Sequence, residues 1–535
     1  MRSQFLLVSL IVIVAIAAAS SFWTPVLWLY LIVGPVVVVG VYDMLQKSRS
    51  IVRNFPLFGR GRYVMEWLRP KIYQYFVESD VDGTPISRVF RSVIYQRAKR
   101  QTHTIPFGTE FDVYLAGYEW MNHSMAAKNA DEVAQDLRVN VGGPACSQPY
   151  NASILNISAM SYGALSKNAI RALNGGARLG NFAHNTGEGG LSPYHLDPGG
   201  DLIWQIGTGY FSCRTPQGEF DPDLFSENAS KEAVKMIEIK LSQGAKPGHG
   251  GILPASKNTP EIAAIRNVEP GTDVISPPGH YTFSTPLEMM EFIQRLRELS
   301  QGKPIGFKLC IGRRSEFIAV SKAMVETGIK PDFITVDGGE GGTGAAPPEY
   351  SNSVGTPLRD GLALVIDALV GFDLKKDIRV IASGKVFTGF HIIRALCLGA
   401  DMTCSARGMM LALGCIQALE CNKNTCPTGI TTHKPGLTAG LVVSDKRERI
   451  HAFHEETVKS VRELMAAAGF SSQAELNRTL IYRRVNMEQG AARLDEIFPT
   501  VDTGCLLNDD PPEHLLRPFT EASASSFHPS SLLKL

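Results

Sequence analysis

The chain has 535 residues, of which 44% are hydrophobic and 20% charged, and its formal net charge at pH 7 is +1. This balance lacks the basic excess of a nucleic-acid-binding protein, so we expect no nucleic-acid partner. Nine cysteines over this length argue against a disulfide framework. They favour a reducing compartment, in which thiols stay free or bind metal.

No charged residue occurs between Phe5 and Tyr42. Because one membrane span needs about 20 apolar residues, this run predicts two spans, 5–19 and 26–42, in a transmembrane hairpin over residues 1–45. Positive residues follow the second span and place the remainder on the cytoplasmic side of the inner membrane. A cleaved signal peptide ending near "AIAAAS" is the alternative; it would leave one span with the same orientation.

Residues 46–150 are predicted to form a juxtamembrane and linker region that packs on the next domain. Its basic and aromatic stretch "YVMEWLRPKIYQYF", residues 63–76, fits either a helix on the membrane surface or a packed helix interrupted by Pro70. Residues 101–150 show no regular pattern.

From residue 151 onwards, β-rich runs alternate with helical stretches. The runs are 153–160, 181–185, 236–242, 273–277, 304–309, 332–337, 378–383 and 401–406. The helical stretches are 166–179, 286–300, 315–327, 358–370 and 388–398. This alternation predicts an α/β fold, a (β/α)8 TIM barrel over residues 151–485, with an open doubly wound sheet as the alternative. Further helices are predicted at 446–469 and 472–483, followed by a C-terminal tail, 486–535, that is mobile from Asp509.

Three of these strand ends are rich in small residues. The run 332–337 leads into "GGEGGTGAAP", and the last two runs end in "SGK" (383–385) and "SARG" (405–408). Glycines let a backbone approach a ligand closely and point N–H groups at an anion, and barrel enzymes often hold phosphate after strands 7 and 8. These ends therefore predict a phosphate site, with a flexible loop as the alternative for 338–344.

Charged residues collect at other strand ends. Lys240 closes one run, Lys246 lies in "GAKPGHGG", Arg266 follows on a helix that Thr259 caps, and Glu188 lies in "NTGEGG". Cations at the strand ends of a barrel predict a site for a substrate with two carboxylates.

Three cysteines, Cys415, Cys421 and Cys426, lie in "GCIQALECNKNTCPTG" (414–429). A zinc site, a disulfide, an iron–sulfur cluster and coincidence are all open from the spacing alone.

Several segments together carry a family resemblance. They are "AMSYGALS" (159–166), "NTGEGG" (185–190), "IKLSQGAKPGHGG" (239–251), "VISPPGH" (274–280), "GGTGAAP" (341–347) and "GCIQALECNKNTCPTGITT" (414–432). In order and spacing, residues 153–470, about 60% of the chain, resemble the FMN-binding synthase domain of glutamate synthases. With its apolar N-terminus, the whole chain resembles the short, membrane-anchored glutamate synthase-like proteins.

The resemblance implies two cofactors, FMN and a [3Fe-4S] cluster on Cys415, Cys421 and Cys426. Thiolates hold such clusters, whereas zinc would want a fourth ligand, for which His433 is the nearby candidate. The FMN contacts that the resemblance implies are Met160, Ser161, Lys308, Gly341, Gly342, Gly384, Lys385, Ser405 and Arg407. The other cysteines are expected to be ordinary thiols.

The implied reaction is reduction of 2-iminoglutarate, formed from 2-oxoglutarate and ammonia, to L-glutamate by hydride from reduced FMN. Lys246 and Glu188 would be catalytic, and Lys240, Lys246, Arg266 and Ser161 would bind substrate. We expect no glutaminase domain in the chain, so that ammonia comes from solution or a partner. The electron donor would be ferredoxin, a nicotinamide-oxidising subunit or a quinone-linked partner.

Two residues depart from the family pattern, which reads "KPGEGGQLP" where this chain has "KPGHGGILP". His249 replaces a glutamate, and Ile252 replaces a glutamine that helps to bind 2-oxoglutarate. These two residues support another 2-oxo or 2-imino acid, or an N-alkylated glutamate, as the alternative substrate. A membrane-anchored electron-transfer protein with a vestigial site is a separate alternative.

Overall fold

A computed structural model describes residues 1–101, 104–486 and 490–530. The chain divides into two compact units, Met1–Ser87 and Arg88–Leu535, and each is described by itself.

The first unit is helical. It contains α1 (Arg2–Ser20), a 3-10 turn (Thr24–Leu29), α2 (Tyr30–Leu45), α3 (Ser50–Asn54), α4 (Phe58–Ile72) and a π-helical turn (Tyr73–Val77). Residues Arg2–Ser20 and Thr24–Leu45 are long and apolar enough to cross a membrane. They lie against each other as a hairpin, since the Tyr30 hydroxyl donates to Ile13 O at 2.8 Å and the Phe5 ring packs on Gly40.

The second unit is built on a closed barrel of eight parallel strands, which confirms the predicted TIM barrel. The barrel strands are β1 (Leu155–Ile157), β2 (His184–Asn185), β3 (Leu202–Ile206), β4 (Val234–Lys240), β5 (Ile305–Leu309), β6 (Phe333–Asp337), β7 (Arg379–Ser383) and β8 (Met402–Ser405). Each strand pairs with its neighbours in chain order, and β8 closes on β1. The carboxyl ends of all eight strands therefore meet at one face.

One predicted barrel strand was wrong and one was missed. The wrong one is the run 273–277. Its residues Val274–Ile275 do form a strand, but this strand pairs antiparallel with Ile252–Leu253 outside the barrel. Two prolines follow, and they have no N–H to donate to a ladder. The missed strand is β3, "LIWQI", whose five residues are all buried. A short, wholly buried strand carries no alternation of polar and apolar residues to mark it.

The helices of the second unit are α5 (Arg88–Ala98), α6 (Lys167–Leu179), α7 (Pro193–Leu196), α8 (Pro222–Ala229), α9 (Pro260–Arg266), α10 (Pro286–Leu299), α11 (Arg314–Thr327), α12 (Pro348–Ser353), α13 (Leu358–Gly371), α14 (Gly389–Cys397), α15 (Arg407–Leu413), α16 (Pro435–Thr438), α17 (Val443–Ala467), α18 (Leu494–Ile497) and α19 (Glu513–Glu521). The five predicted barrel helices and the helix at 446–469 are confirmed. Packing of α5, α6, α14 and α15 on α17 covers one side of the barrel.

The helix predicted at 472–483 was wrong. Two 3-10 turns, Gln473–Glu475 and Arg478–Leu480, lead into a strand, Ile481–Asn486, that pairs with Glu119–Met121 and Gly490–Arg493. The side chains of Ser472 and Asn477 accept local backbone N–H groups, and such bonds compete with a continuous helix.

Within the tail that was predicted to be mobile, residues Glu513–Glu521 form the helix α19. The Lys322 ammonium of α11 donates to Phe519 O and Ala522 O at 2.8 and 3.0 Å and holds its C-terminal end. Residues 138–141, in the stretch without a sequence pattern, pair with residues 150–153 in a two-stranded antiparallel sheet.

Candidate active site

A cavity lies at the carboxyl end of the barrel strands. Its empty space, including the part open to solvent, is about 570 Å³. The predicted site residues that line it are Lys240, Lys308, Gly341, Gly342, Gly384, Lys385, Ser405 and Arg407. Of the predicted FMN contacts, Met160 and Ser161 are not among its lining residues, although their neighbours Ser158 and Ala159 are.

A buried ion pair lies at the floor of the cavity. The Lys308 ammonium at the end of β5 is 3.4 Å from the Asp337 carboxylate at the end of β6. Burial lowers the pKa of Lys308, but the charges of Asp337 and Glu238 more than offset it and raise the pKa above its usual value. Lys308 is therefore a permanent cation facing the cavity.

Glu238, inside the barrel on β4, was missed by the sequence analysis. Its carboxylate accepts hydrogen bonds from Asn185, Gln205 and Thr335 at 2.6 to 2.7 Å. A buried carboxylate is costly unless it is paired and hydrogen-bonded, and these three bonds join four strands below the site. An acidic residue in the apolar run "MIEIK" was the available signal.

Two cations, Lys385 and Arg407, lie close together at the ends of β7 and β8. Burial lowers the pKa of Lys385, and the charge of Arg407 lowers it further. The Arg407 guanidinium donates to Glu340 O at 2.7 Å, and a Cβ on Gly342 would come within 3.0 Å of its Nη1. Glycine at 342 thus leaves room for the guanidinium, and an anion between the two cations would relieve their repulsion.

Beside the cavity, three cations surround one carboxylate. The Lys240 ammonium lies 2.7 Å from the Glu188 carboxylate. Burial raises the pKa of Glu188, but the charges of Lys240, Lys246 and Arg266 together bring it below its usual value. Since one carboxylate cannot neutralise three cations, the cluster carries a net positive charge.

Lys246 and Arg266 are both buried, and burial lowers the pKa of Lys246 to about 8 and that of Arg266 to about 10. The Lys246 ammonium donates to Gly250 O at 2.8 Å. The Arg266 guanidinium donates to Tyr162 O at 3.2 Å and lies over the Phe211 ring at 5.0 Å. Its buried Nε–H has no acceptor among the described residues, so the group retains unused donor capacity.

A histidine that the sequence analysis missed holds Lys240 in place. His280 Nε2 lies 2.9 Å from Lys240 O, and its Nδ1 lies 2.7 Å from the Tyr210 hydroxyl. Burial lowers the pKa of His280 to about 4, so the ring is neutral. Because the Lys240 carbonyl can only accept, Nε2 donates to it and Nδ1 accepts from Tyr210.

The two residues that depart from the family pattern lie on the segment between Lys246 and α9. His249 Nδ1 donates to Gly250 O at 3.0 Å, and its ring contacts the edge of Tyr350. Ile252 pairs with Ile275 in the two-stranded antiparallel sheet.

The three cysteines of the 414–429 loop are free thiols. Burial raises the pKa of Cys415 to about 11 and also raises that of Cys421. For Cys426, hydrogen bonds from the side chains and backbone of Thr428 and Thr431 outweigh burial and bring the pKa below its usual value. The Lys257 ammonium, almost fully buried, donates to Cys421 O at 2.7 Å. Gly344 packs directly on Cys421, so the cysteine loop contacts the glycine-rich loop after β6.

Across residues 1–101, 104–486 and 490–530, no three His, Cys, Asp or Glu side chains converge on a point that could hold one metal ion. His433, the candidate fourth ligand for zinc, forms a hydrogen bond outside the cysteine loop, from its Nε2 to Gly163 O at 2.8 Å. An iron–sulfur cluster also requires its thiolates to face one shared cluster, although each thiolate binds its own iron. The three thiols of the cysteine loop supply the donor type that such a cluster uses.

Comparison with known proteins places this architecture in a family. Residues 127–471 match the model of the conserved region in glutamate synthase. A glutamate synthase large subunit-like protein, YerD, of Bacillus subtilis is 36% identical over 83% of this chain and 92% of its own length. The archaeal glutamate synthase [NADPH] of Methanocaldococcus jannaschii is 34% identical over 59% of each chain. The chain belongs to the glutamate synthase family and is an oxidoreductase.

Proposed function

We propose that the chain is an FMN- and iron–sulfur-dependent oxidoreductase that reduces 2-iminoglutarate, formed from 2-oxoglutarate and ammonia, to L-glutamate. The observation that carries this proposal is the net positive cluster of Lys240, Lys246 and Arg266 around Glu188, beside a cavity with a buried cation. A dicarboxylate substrate would supply the negative charge that this cluster lacks.

The cavity residues fit FMN. Lys385 and Arg407, which repel each other, would bind its phosphate together with the backbone of Gly341, Gly342 and Gly384, and Ser405 lies beside them. Lys308 would lie near the isoalloxazine ring, where its charge would favour an anionic reduced form; Met160 and Ser161 are the other proposed ring contacts. When bound, FMN supplies a hydride.

The cationic cluster would bind the substrate and supply the proton that the reaction needs in addition to the hydride. Reduction of an imine to an amine takes two electrons and two protons, one of which arrives with the hydride. Lys246, with a pKa of about 8, can hold the second proton and release it to the nitrogen. Glu188 would fix Lys240, and Lys240 and Arg266 would bind the carboxylates, with Ser161 as a further substrate contact.

The three thiols of the cysteine loop would hold a [3Fe-4S] cluster that passes electrons singly from an external donor. Ferredoxin, a nicotinamide-oxidising subunit and a quinone-linked partner are the candidate donors.

The test uses full-length protein purified in detergent without oxygen. Reduced enzyme is mixed with a series of 2-oxo acids in the presence of ammonium, and flavin absorbance is followed. Reoxidation by 2-oxoglutarate with ammonium, together with formation of glutamate, supports the proposal. Reoxidation by a different 2-oxo acid supports the alternative substrates that His249 and Ile252 suggest, and reoxidation by none supports an electron-transfer role.

A pH-dependent affinity follows from Lys246. We expect the Kd of 2-oxoglutarate for the oxidised enzyme to rise above pH 8, approaching tenfold per pH unit, as Lys246 loses its charge. Because Kd is measured without ammonium, ionisation of ammonia does not enter. A Lys246→Arg variant keeps its charge, so its Kd should stay level up to about pH 10; an equal rise in both proteins would contradict the assignment.

Membrane attachment is proposed from α1 and Thr24–Leu45. We expect the full chain to fractionate with membranes, to resist high-salt washing, and to be released when residues 1–45 are deleted. A full-length chain found in the soluble fraction would contradict attachment, and a deletion variant that stays in the membrane would show that other residues suffice.

A further inference from the structure

Helix α4 and the π-helical turn that follows it carry exposed apolar residues that the proposed reaction does not use. We define the apolar face of α4 as Phe58, Val64, Met65, Leu68 and Ile72. Phe58 is 79% exposed and Met65 59%, and Phe76 in the turn is 85% exposed. Apolar surface of this kind commonly marks a site of protein or membrane interaction.

The opposite side of α4 packs against the rest of the first unit. Gly59 lies so close to α3 that a Cβ there would be 2.7 Å from Ile51 O. Arg60 forms a bidentate ion pair, at 2.7 to 3.0 Å, with Asp43 near the end of α2. The Arg49 guanidinium lies 4.4 Å from the centre of the Tyr63 ring. These contacts direct the apolar face away from α2 and α3.

Basic residues border the apolar face on both edges. At about 100° per residue the face spans an arc of about 120°, with Arg62 and Arg69 beside one edge and Lys71 beside the other. Long basic side chains can lay their stems along apolar surface and keep their charges at the level of lipid headgroups. Each basic residue near an anionic membrane contributes attraction of its own.

We propose that α4 and Tyr73–Val77 lie in the interface of an anionic membrane as a third, non-spanning attachment. This rests on the proposed membrane attachment of Arg2–Leu45. The Asp43–Arg60 pair ties the start of α4 to the end of the second candidate span. If that span crosses the bilayer, α4 begins at the membrane surface, and its apolar face enters the boundary between headgroups and acyl chains.

The test places the photo-crosslinking residue benzoylphenylalanine at single positions of the full chain, reconstituted in nanodiscs. Met65 reports the apolar face, and Glu66, exposed on the polar side and paired with Arg62 at 2.9 Å, is the matched control. Nanodiscs contain either phosphatidylcholine alone or a mixture with phosphatidylglycerol. Adducts are identified by mass spectrometry.

We expect lipid adducts at position 65 and few at position 66, with a higher yield in the anionic nanodiscs. Arg69→Gln and Lys71→Gln should each lower the anionic preference by up to about fivefold, which corresponds to about 1 kcal/mol. Adducts to protein at position 65, or equal lipid adducts at both positions, would overturn the proposal. A chain that reconstitutes with the membrane but gives no lipid adduct at 65 refutes the interfacial helix alone, whereas a chain that never associates with membranes refutes attachment as well.

Discussion

Replacing Arg266 with methionine is expected to lower kcat/KM for 2-oxoglutarate about 10- to 100-fold. The buried guanidinium has one hydrogen bond, to Tyr162 O, and an Nε–H without an acceptor among the described residues. A charge-assisted hydrogen bond to a substrate carboxylate contributes about 1.5–3 kcal/mol, and each 1.4 kcal/mol is about tenfold. Steady-state kinetics under anaerobic conditions, with flavin and iron content measured in the same preparation, give the result.

Arg214 provides the matched control, because its guanidinium lies over the same Phe211 ring at 5.7 Å, donates to Gly209 O and also has a buried Nε–H without an acceptor among the described residues. It is not one of the three cations around Glu188. Arg214→Met should leave kcat/KM within about twofold of the wild-type value. If Arg266 only braces the end of α9, its replacement will lower Tm while the folded fraction retains full kcat/KM. That outcome would move the carboxylate contact to other residues.

Replacing Cys421 with serine is expected to remove most of the iron while FMN stays bound. A serine hydroxyl is a poor substitute for a thiolate towards iron. Wild-type protein purified without oxygen should contain about three irons per chain, measured by elemental analysis and by the electron paramagnetic resonance signal of the oxidised cluster.

Cys146→Ser is the control for this experiment, since Cys146 is also a partly exposed free thiol but lies outside the cysteine loop, where its Sγ contacts Gly302 O. It should keep the full iron content. Stoichiometric zinc in the wild-type protein, or iron that survives in Cys421→Ser, would show that the loop does not hold the proposed cluster.

The barrel could be predicted from sequence because most of its strands are short apolar runs followed by helix signals. The run 273–277 has the composition of a strand, whereas "LIWQI" has no distinctive alternation of polar and apolar residues. A prediction from composition alone therefore assigned the wrong segment to the barrel. The deciding factor is pairing between distant segments, such as β3 with β4, which a local pattern does not contain.

The same limit applies to the site. Lys240 could be found because a cation at a strand end is unusual enough to notice, and Lys385 because it follows a strand end rich in small residues. Lys308 was found through the family resemblance. Asp337, Glu238 and His280 were missed because their importance depends on partners far away in sequence. Glu238 becomes a structural hub only when Asn185, Gln205 and Thr335 are brought to it by three other strands.

The unequal pairing of the barrel strands has a consequence for local stability. Strand β2 is registered with β1 at one residue pair, Ile157 with His184, and with β3 at two, whereas β6 and β7 share five. Amide hydrogens on β1 and β2 should therefore exchange with solvent through smaller fluctuations than those on β6 and β7. Since Met160 and Glu188 follow β1 and β2, we expect such fluctuations to reach the cationic cluster more readily than Lys385, which follows β7.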